Sequence, residues 1–406
     1  MHENRADVER SVWRARPASL VGTALGAIGE WLGVEGAEVL LIDYHQSHLV
    51  PFGGGAGGTP IPVDSHPAGR AFASGRSVPD QEHLFLPLSV HGERLGVLTV
   101  RLPQEPEVSQ DDLEGVADTL ARALRIADTA TDIYREVRRR KRLTVAAEMQ
   151  WELLPGRTCE SAEFRLAGQL EPAYAVSGDN FDWVISPDYL TLSVSNGMGS
   201  GLGAALLTQL TVNSLRNARR SGAGPAESAE LASGIVYSRH GGEIYSPTLL
   251  MRITLSTGEA EVIDAGSPRM LRIRHGEMEP FKFDEQMPIG MFSDTRYRAQ
   301  RFTLVPGDRF IILSDGVYAA CGPSGRVYGQ VPLSAALRSA RLQSPNETVR
   351  FLISDLLVHH EGAELTDDAI AVCLDWSGAA DELGAAGGAR LADIPRPGDT
   401  SLDVMT

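Results

Sequence analysis

The chain has 406 residues, 43% hydrophobic and 22% charged, which is more than one ordinary core and predicts two domains of usual globular composition. A net charge of -16 and a pI near 5.1 exclude a nucleic-acid surface over the whole chain. No apolar run approaches the ~20 residues that span a bilayer. The opening Met1-His2-Glu3-Asn4-Arg5 lacks a signal-peptide core, and Cys159, Cys321 and Cys373 fit neither a disulfide framework nor a zinc knuckle. A cytoplasmic protein is expected.

After an N-terminal tail over 1–14, an amphipathic helix is expected from Pro17 to Leu32, with Leu20, Val21, Leu25, Ile28 and Leu32 on one face. Ala37–Ile42 reads as a strand. Leu84–Val90 and Leu95–Val100 read as a hairpin about His91-Gly92-Glu93-Arg94, and Gly53–Gly58 as a loop. This first region covers 15–127. From Ser109, with Asp112 three residues on, a helix starts that meets no proline before Pro155. Its ~45 residues span about 68 Å if continuous. Leu113, Val116, Leu120, Ala123, Ala127, Ala130, Tyr134 and Val137 have heptad-like spacing, so residues 128–155 are expected to act as a linker helix and possible coiled coil in a homodimer.

Beyond 156 short strands alternate with two helical stretches, Leu202–Ala218 and Pro345–Val358, predicting an α+β domain over 156–376. Residues 377–406 are rich in Gly, Ala, Asp and Pro and read as a disordered tail. His45 and His48 follow a strand with no acidic or cysteine partner at ligand spacing, which favours a surface or pocket role without metal. The run Arg138–Arg142 reads as a solvated, charge-paired helix face.

Four turn-like clusters carry the chemistry. They are Ser177-Gly178-Asp179-Asn180-Phe181-Asp182, Asn196-Gly197-Met198-Gly199-Ser200-Gly201, Ser314-Asp315-Gly316 and Thr366-Asp367-Asp368. Carboxylates and glycines at strand ends are how a fold gathers oxygen ligands for hard divalent cations. Singly, each is an ordinary turn or strand start.

As an ordered set, with Ala146–Pro155, Asp264-Ala265-Gly266-Ser267-Pro268, Met287-Pro288-Ile289-Gly290 and Pro306-Gly307-Asp308, they resemble the PPM-type metal-dependent phosphatases of the SpoIIE and RsbU branch. The first region resembles a GAF sensor domain through its helix–strand–hairpin–helix order. The resemblance implies a PPM-type β-sandwich flanked by helices. It also implies hydrolysis of phosphoserine or phosphothreonine by a water activated between two Mn²⁺ or Mg²⁺ ions. By residue it implies Asp179, Asn196, Asp315 and Asp367 at the catalytic centre, with the Gly197 carbonyl as a further metal ligand and Asp182 and Asp368 as outer or alternative ligands. The substrate implied is a phosphorylated STAS-like anti-sigma-factor antagonist, with an unassigned GAF ligand, no nucleic acid and no membrane.

Three positions depart from the family pattern. Asn196 stands where a metal-bridging Asp is usual, and Ser200 and Ser267 stand where His is usual. A neutral amide cannot offset the repulsion between two dications. A binding module with weak or no turnover, or a sensory scaffold, is therefore the alternative to an enzyme.

Overall fold

The computed structural model describes residues 4–33, 36–53, 58–103, 108–140, 143–173 and 175–378. Its first region opens with helices α1 (Arg5–Arg14) and α2 (Leu20–Leu32). Strands β1 (Glu38–Ile42), β2 (His48–Pro51) and β3 (Ile61–Pro62) follow, then α3 (Pro67–Ser74), β4 (Val78–Asp80), β5 (His83–Val90), β6 (Glu93–Arg101) and α4 (Gln110–Ala127). The strands form one antiparallel sheet in the order β3-β2-β1-β6-β5-β4. Side chains alternate across it. Val39 and Leu41 of β1 pack with α1, α2 and α4, while Leu40 and Ile42 pack with Phe72 of α3 on the other face. The β5–β6 turn is tighter than expected, because His91 and Gly92 both take positive φ and β6 begins at Glu93.

Two sequence expectations change here. Residues 5–14 are not a tail: Asn4 caps α1, and Val8 and Val12, four apart, bury in the same core as Leu113. Six polar or charged neighbours in this short segment hide a two-residue apolar signal. Residues 1–3 lie outside the described set.

The long helix is broken into α4, α5 (Ile133–Arg138) and α6 (Val145–Leu153). The Thr129 hydroxyl turns back to the Ile126 carbonyl at 2.7 Å, ending α4 at the Asp-Thr-Ala-Thr-Asp run. Thr144 caps α6 by accepting from the Ala147 N–H at 3.2 Å. The heptad stripe Leu113, Val116, Leu120, Ala123 and Ala127 is buried against α1, α2 and the sheet of its own chain. Among the described residues this stripe is taken up by its own chain and does not support a homodimer through this helix.

The second region contains β7 (Thr158–Glu160), β8 (Phe164–Glu171), β9 (Asn180–Ile185), β10 (Tyr189–Ser195), α7 (Gly201–Arg220) and α8 (Pro225–His240). It continues with β11 (Thr248–Thr254), β12 (Glu259–Ala265), β13 (Arg269–Arg274), β14 (Glu277–Phe281), β15 (Gln300–Thr303) and β16 (Arg309–Leu313). Short helix α9 (Asp315–Tyr318), α10 (Val331–Ser339), α11 (Pro345–His359) and β17 (Ala369–Trp376) complete it. Two antiparallel sheets, β15-β12-β11-β10-β9 and β14-β13-β16-β17-β8-β7, enclose one apolar core. The period of two is explicit in β16: Phe310 and Ile312 enter the inter-sheet core, while Ile311 and Leu313 pack under α10 and α11. Helices α7 and α8 cover the other sheet. The result is helix, sheet, sheet, helix. Helix α8 was not expected, because its buried face is Ala229, Ala232 and Ser233 and shows little apolar contrast.

The two regions touch through specific side chains. Tyr44 stacks on Trp151 of α6 at 4.6 Å between centroids. The His45 imidazole meets Glu171 at 3.0 Å, so this histidine has an acidic partner after all, supplied by the other region. Arg350 reaches the Gln46 carbonyl at 2.8 Å and Asp64 at 2.9 Å. The arginine run is charge-paired, though with partners outside its own helix. Arg139 pairs with Glu148 and Arg140 with Asp43, while Arg138 lies over the Tyr44 ring. Lys141 and Arg142 lie outside the described residues, as do residues 54–57 of the glycine loop and the tail beyond 378. Among the described residues no helix is long and apolar enough to cross a membrane.

Candidate active site

Strand register gathers the four clusters. Ser195 pairs with Asn180, so the last residue of β10 and the first of β9 are neighbours, and Asn196 lies beside Asp179. Leu313 pairs with Ala371, which sets Asp315 beside Asp367 and Asp368. Two glycines permit the approach. A Cβ on Gly197 would stand 1.8 Å from the Ser177 carbonyl oxygen, and one on Gly316 would stand 1.9 Å from that of Asp368.

Asp179 is 1% exposed. One carboxylate oxygen accepts the Gly197 N–H at 2.9 Å; the other is buried with no partner. Burial pushes its carboxyl well above the usual range, and the charges of Asp368, Asp315 and Asp367 add to that rise. Asp315 is raised in the same way, by burial and then by Asp367. Asn196 donates its amide to Asp315 Oδ1 at 2.5 Å and to Ser267 Oγ at 2.7 Å, and its own Oδ1 is buried without a partner. This orientation suits the chemistry, since the carboxylate requires a donor.

Asp368 has a different role. It is fully buried, and its oxygens accept the backbone N–H groups of Ala173, Ser177, Gly178 and Asp179 at 2.8–3.2 Å. Gln150 of α6 adds a fifth donor at 2.7 Å and also holds the Asp179 carbonyl. Burial pushes the Asp368 carboxyl up, and these donors pull the other way. Oδ2 is taken up by Gln150 and the loop that carries Asp179, so Asp368 positions that loop.

Asp182 is removed from the alternatives. Arg216 binds it at 2.8 Å and Arg219 at 3.2 Å, both from α7. Ser200, at the start of α7, is exposed and caps nothing, whereas Ser267 sits against Asn196. Gln150 lies inside the Ala146–Pro155 string with no signal of its own, and nothing in the sequence around Tyr318 marks it as part of the site. The Tyr318 hydroxyl donates to the Ser267 carbonyl at 3.0 Å and fixes the turn facing Asn196.

In kind, the donors fit a hard divalent cation. They are carboxylate, amide and carbonyl oxygens, crowded so that burial and neighbouring carboxylates raise Asp179 and Asp315, with two buried oxygens lacking any partner. In spacing they are not closed: among the described residues no three His, Cys, Asp or Glu side chains are arranged to hold one ion.

Residues 186–377 match the profile of Stage II sporulation protein E (SpoIIE). This segment, just under half of the chain, is similar to the SpoIIE family. It includes Asn196, Asp315 and Asp367, and begins after Asp179. The chain is 20% identical to phosphoserine phosphatase RsbU of Bacillus subtilis over 288 residues, covering 71% of this chain and 85% of RsbU. It is 23% identical to protein IcfG of Synechocystis over 264 residues, covering 58% of this chain but only 41% of IcfG. Among solved structures, the PP2C phosphatase domain of SpoIIE from Bacillus subtilis, with a regulatory fragment, superposes with a TM-score of 0.47. It has 20% identity and covers 54% of this chain and 66% of that one. The SiaA PP2C domain of Pseudomonas aeruginosa gives 0.46 at 19% identity, covering 52% and 84%.

Proposed function

We propose that this protein is a metal-dependent protein serine/threonine phosphatase. The observation that carries the reading is the convergence of Asp179, Asn196, Asp315 and Asp367 at adjoining strand ends, with a buried Asp179 oxygen left partnerless. Asp179, Asp315 and Asp367 would hold the metal with the Gly197 carbonyl and the Asn196 amide oxygen. Bound Mn²⁺ or Mg²⁺, two ions in the full form, supplies an activated water for attack on phosphorus. The chain's own residues do the rest. Asp368 and Gln150 hold the Asp179 loop. Gly197 N–H orients the Asp179 carboxylate. Asn196 and Tyr318 fix the Ser267 turn.

The substrate we assign is a phosphorylated STAS-like anti-sigma-factor antagonist in the cytoplasm, in keeping with the likeness to RsbU. The first region is the sensor, GAF-like in its sheet flanked by helices, and Tyr44–Trp151 is where it touches the phosphatase domain.

A second reading, a phosphoprotein-binding module with little turnover, draws on the Asn196–Asp315 hydrogen bond, which occupies a carboxylate oxygen needed for metal. An Mn²⁺ titration of hydrolysis, using a phosphoprotein and p-nitrophenyl phosphate, separates the two. Metal-dependent turnover that Asp315→Asn abolishes supports the enzyme. Turnover unchanged in that variant removes Asp315 from the site, and no turnover at saturating Mn²⁺ leaves the binding module.

A further inference from the structure

Strand β13 leaves the turn Gly266-Ser267-Pro268 with Arg269 as its first residue, in register with Leu313, two positions before Asp315. The turn is held in an unusual conformation: Ser267 has φ 67°, a region non-glycine residues rarely adopt. Such outliers persist where surrounding contacts over-determine them, and here Tyr318 and Asn196 grip Ser267 from two sides.

Tyr318 also holds Arg269. The guanidinium carbon lies 3.8 Å from the ring centroid, stacked on its face. The other arginines of the same strand are committed, Arg272 to Glu279 and Arg274 to Asp308. Among the described residues no carboxylate pairs with Arg269, which is exposed. A stacked guanidinium keeps its edge N–H donors free in a fixed plane, the geometry that receives two oxygens of a phosphoryl group.

Arg269, Ser267 and Tyr318 line a cavity of about 780 Å³ whose apolar walls include Met278, Phe281, Leu333 and Leu337. Asp264 and Glu285 also line it, so it is not a surface for a polyanion. A dianion approaching Asp179, Asp315 and Asp367 in a chain of net charge -16 meets repulsion that a nearby unpaired cation offsets.

We propose that Arg269 binds the phosphoryl group of a phosphoserine or phosphothreonine substrate, and that the adjoining cavity receives the apolar residues flanking it. This rests on the phosphatase reading for its substrate class. Tyr318 acts as a positioning residue that sets the guanidinium plane.

The test uses the full chain, Arg269→Ala and Arg269→Lys. Equilibrium binding of O-phospho-L-serine is measured with Mg²⁺ and with EDTA, alongside Mn²⁺-dependent turnover of p-nitrophenyl phosphate and thermal melting. Arg269→Ala is expected to weaken phosphoserine binding and raise KM by about tenfold or more, with a smaller change in kcat. Arg269→Lys keeps the charge and recovers part of the loss, and serves as the variant if the alanine form does not fold. Phosphoserine affinity equal to wild type in a folded variant overturns the assignment, as does a melting loss with unchanged affinity or a wild type that binds no phosphoserine. Turnover with an unaltered KM would sink Arg269 and leave the phosphatase standing. Phosphoserine binding lost in the variant, in a wild type without turnover, would sink the phosphatase and leave Arg269 standing.

Discussion

The side-chain amide of Asn196 lies 2.5 Å from a carboxylate oxygen of Asp315 and stands between two strand ends that would share a metal. An amide can donate to one carboxylate and offer one neutral oxygen elsewhere; it cannot bridge two dications. Asn196→Asp replaces the hydrogen bond by a like-charge contact that only a cation relieves. The variant should therefore bind Mn²⁺ more tightly and, if turnover exists, gain at least about tenfold in rate, ~1.4 kcal/mol in the barrier. If the wild type has no turnover, activity should appear only when Ser200→His or Ser267→His is also made. Isothermal titration with Mn²⁺ and a rate on the same preparation check this, and equal affinity in both proteins would remove position 196 from the bridge.

The same crowding sets a pH dependence. Burial and neighbouring charges raise Asp179 and Asp315 above the ordinary aspartate value of 3.8. A carboxyl raised on folding binds more protons folded than unfolded, so its contribution is fully present below the unfolded value and is lost as pH rises through the folded one. In EDTA the site's contribution should fall as pH rises from about 4 toward neutrality. Asp315→Asn should flatten that fall, and so should saturating Mn²⁺. Melting temperatures across that range measure it; a wild-type slope unaffected by both Mn²⁺ and Asp315→Asn would show that the cluster is not its source.

The strand ends were legible in the sequence because Thr191–Val194 and Phe310–Leu313 are apolar or β-branched runs that stop at Asn-Gly and Asp-Gly. The roles of Asp182 and Asp368 were not. Each is an acid near a proposed ligand, and what separates them is the partner. Asp182 meets arginines 34 and 37 positions away, and Asp368 meets Gln150 across 218 positions. Sequence spacing carries no trace of such pairs. The linker was misread for a related reason. An apolar stripe shows that a face is buried, not whether its own chain or a second copy buries it.

Leu120 tests that distinction. It is fully buried in the core formed by α1, α2, α4 and the first sheet. Leu120→Ala should destabilise the chain by about 2–5 kcal/mol, the usual cost of a core cavity. Denaturant unfolding at two protein concentrations checks the origin of the loss. A midpoint that does not vary with concentration fits burial within one chain, whereas a concentration-dependent midpoint would restore the coiled coil.

Gln150 lies on α6, the helix that meets the first region, and holds the first turn of the site. Its amide donates to the Asp179 carbonyl at 2.6 Å and to Asp368 at 2.7 Å, and the next residue, Trp151, stacks on Tyr44. Gln150→Leu keeps most of the volume and removes both bonds. A buried acceptor left with fewer donors should cost about 1–3 kcal/mol, seen in thermal unfolding. Loss of Mn²⁺ affinity is expected with it, because the Asp179 loop is no longer anchored. Full metal affinity in a destabilised variant would mean that the backbone donors to Asp368 suffice alone.

Asp182 provides the control for the whole metal assignment. It is an acid three residues from Asp179, buried to 4% exposure, and sequence alone permits it as a ligand. In the fold its two oxygens face Arg216 and Arg219, and Arg216 also donates to the Leu153 carbonyl at 2.7 Å, tying α7 to α6. Asp182→Asn keeps the shape and removes the charge opposite two arginines that are themselves about one-fifth exposed. Solvent screening at those arginines limits the cost, so destabilisation of about 1–3 kcal/mol is expected. Mn²⁺ affinity, measured well below the melting temperature, should stay within about twofold of wild type, a free-energy change small beside that of a lost ligand. Asp315→Asn should show the converse, with little loss of fold and a large loss of metal. If Asp182→Asn instead abolishes Mn²⁺ binding while the protein remains folded, the carboxylate must leave its arginines to reach the ion, and the ligand set would have to be redrawn around it.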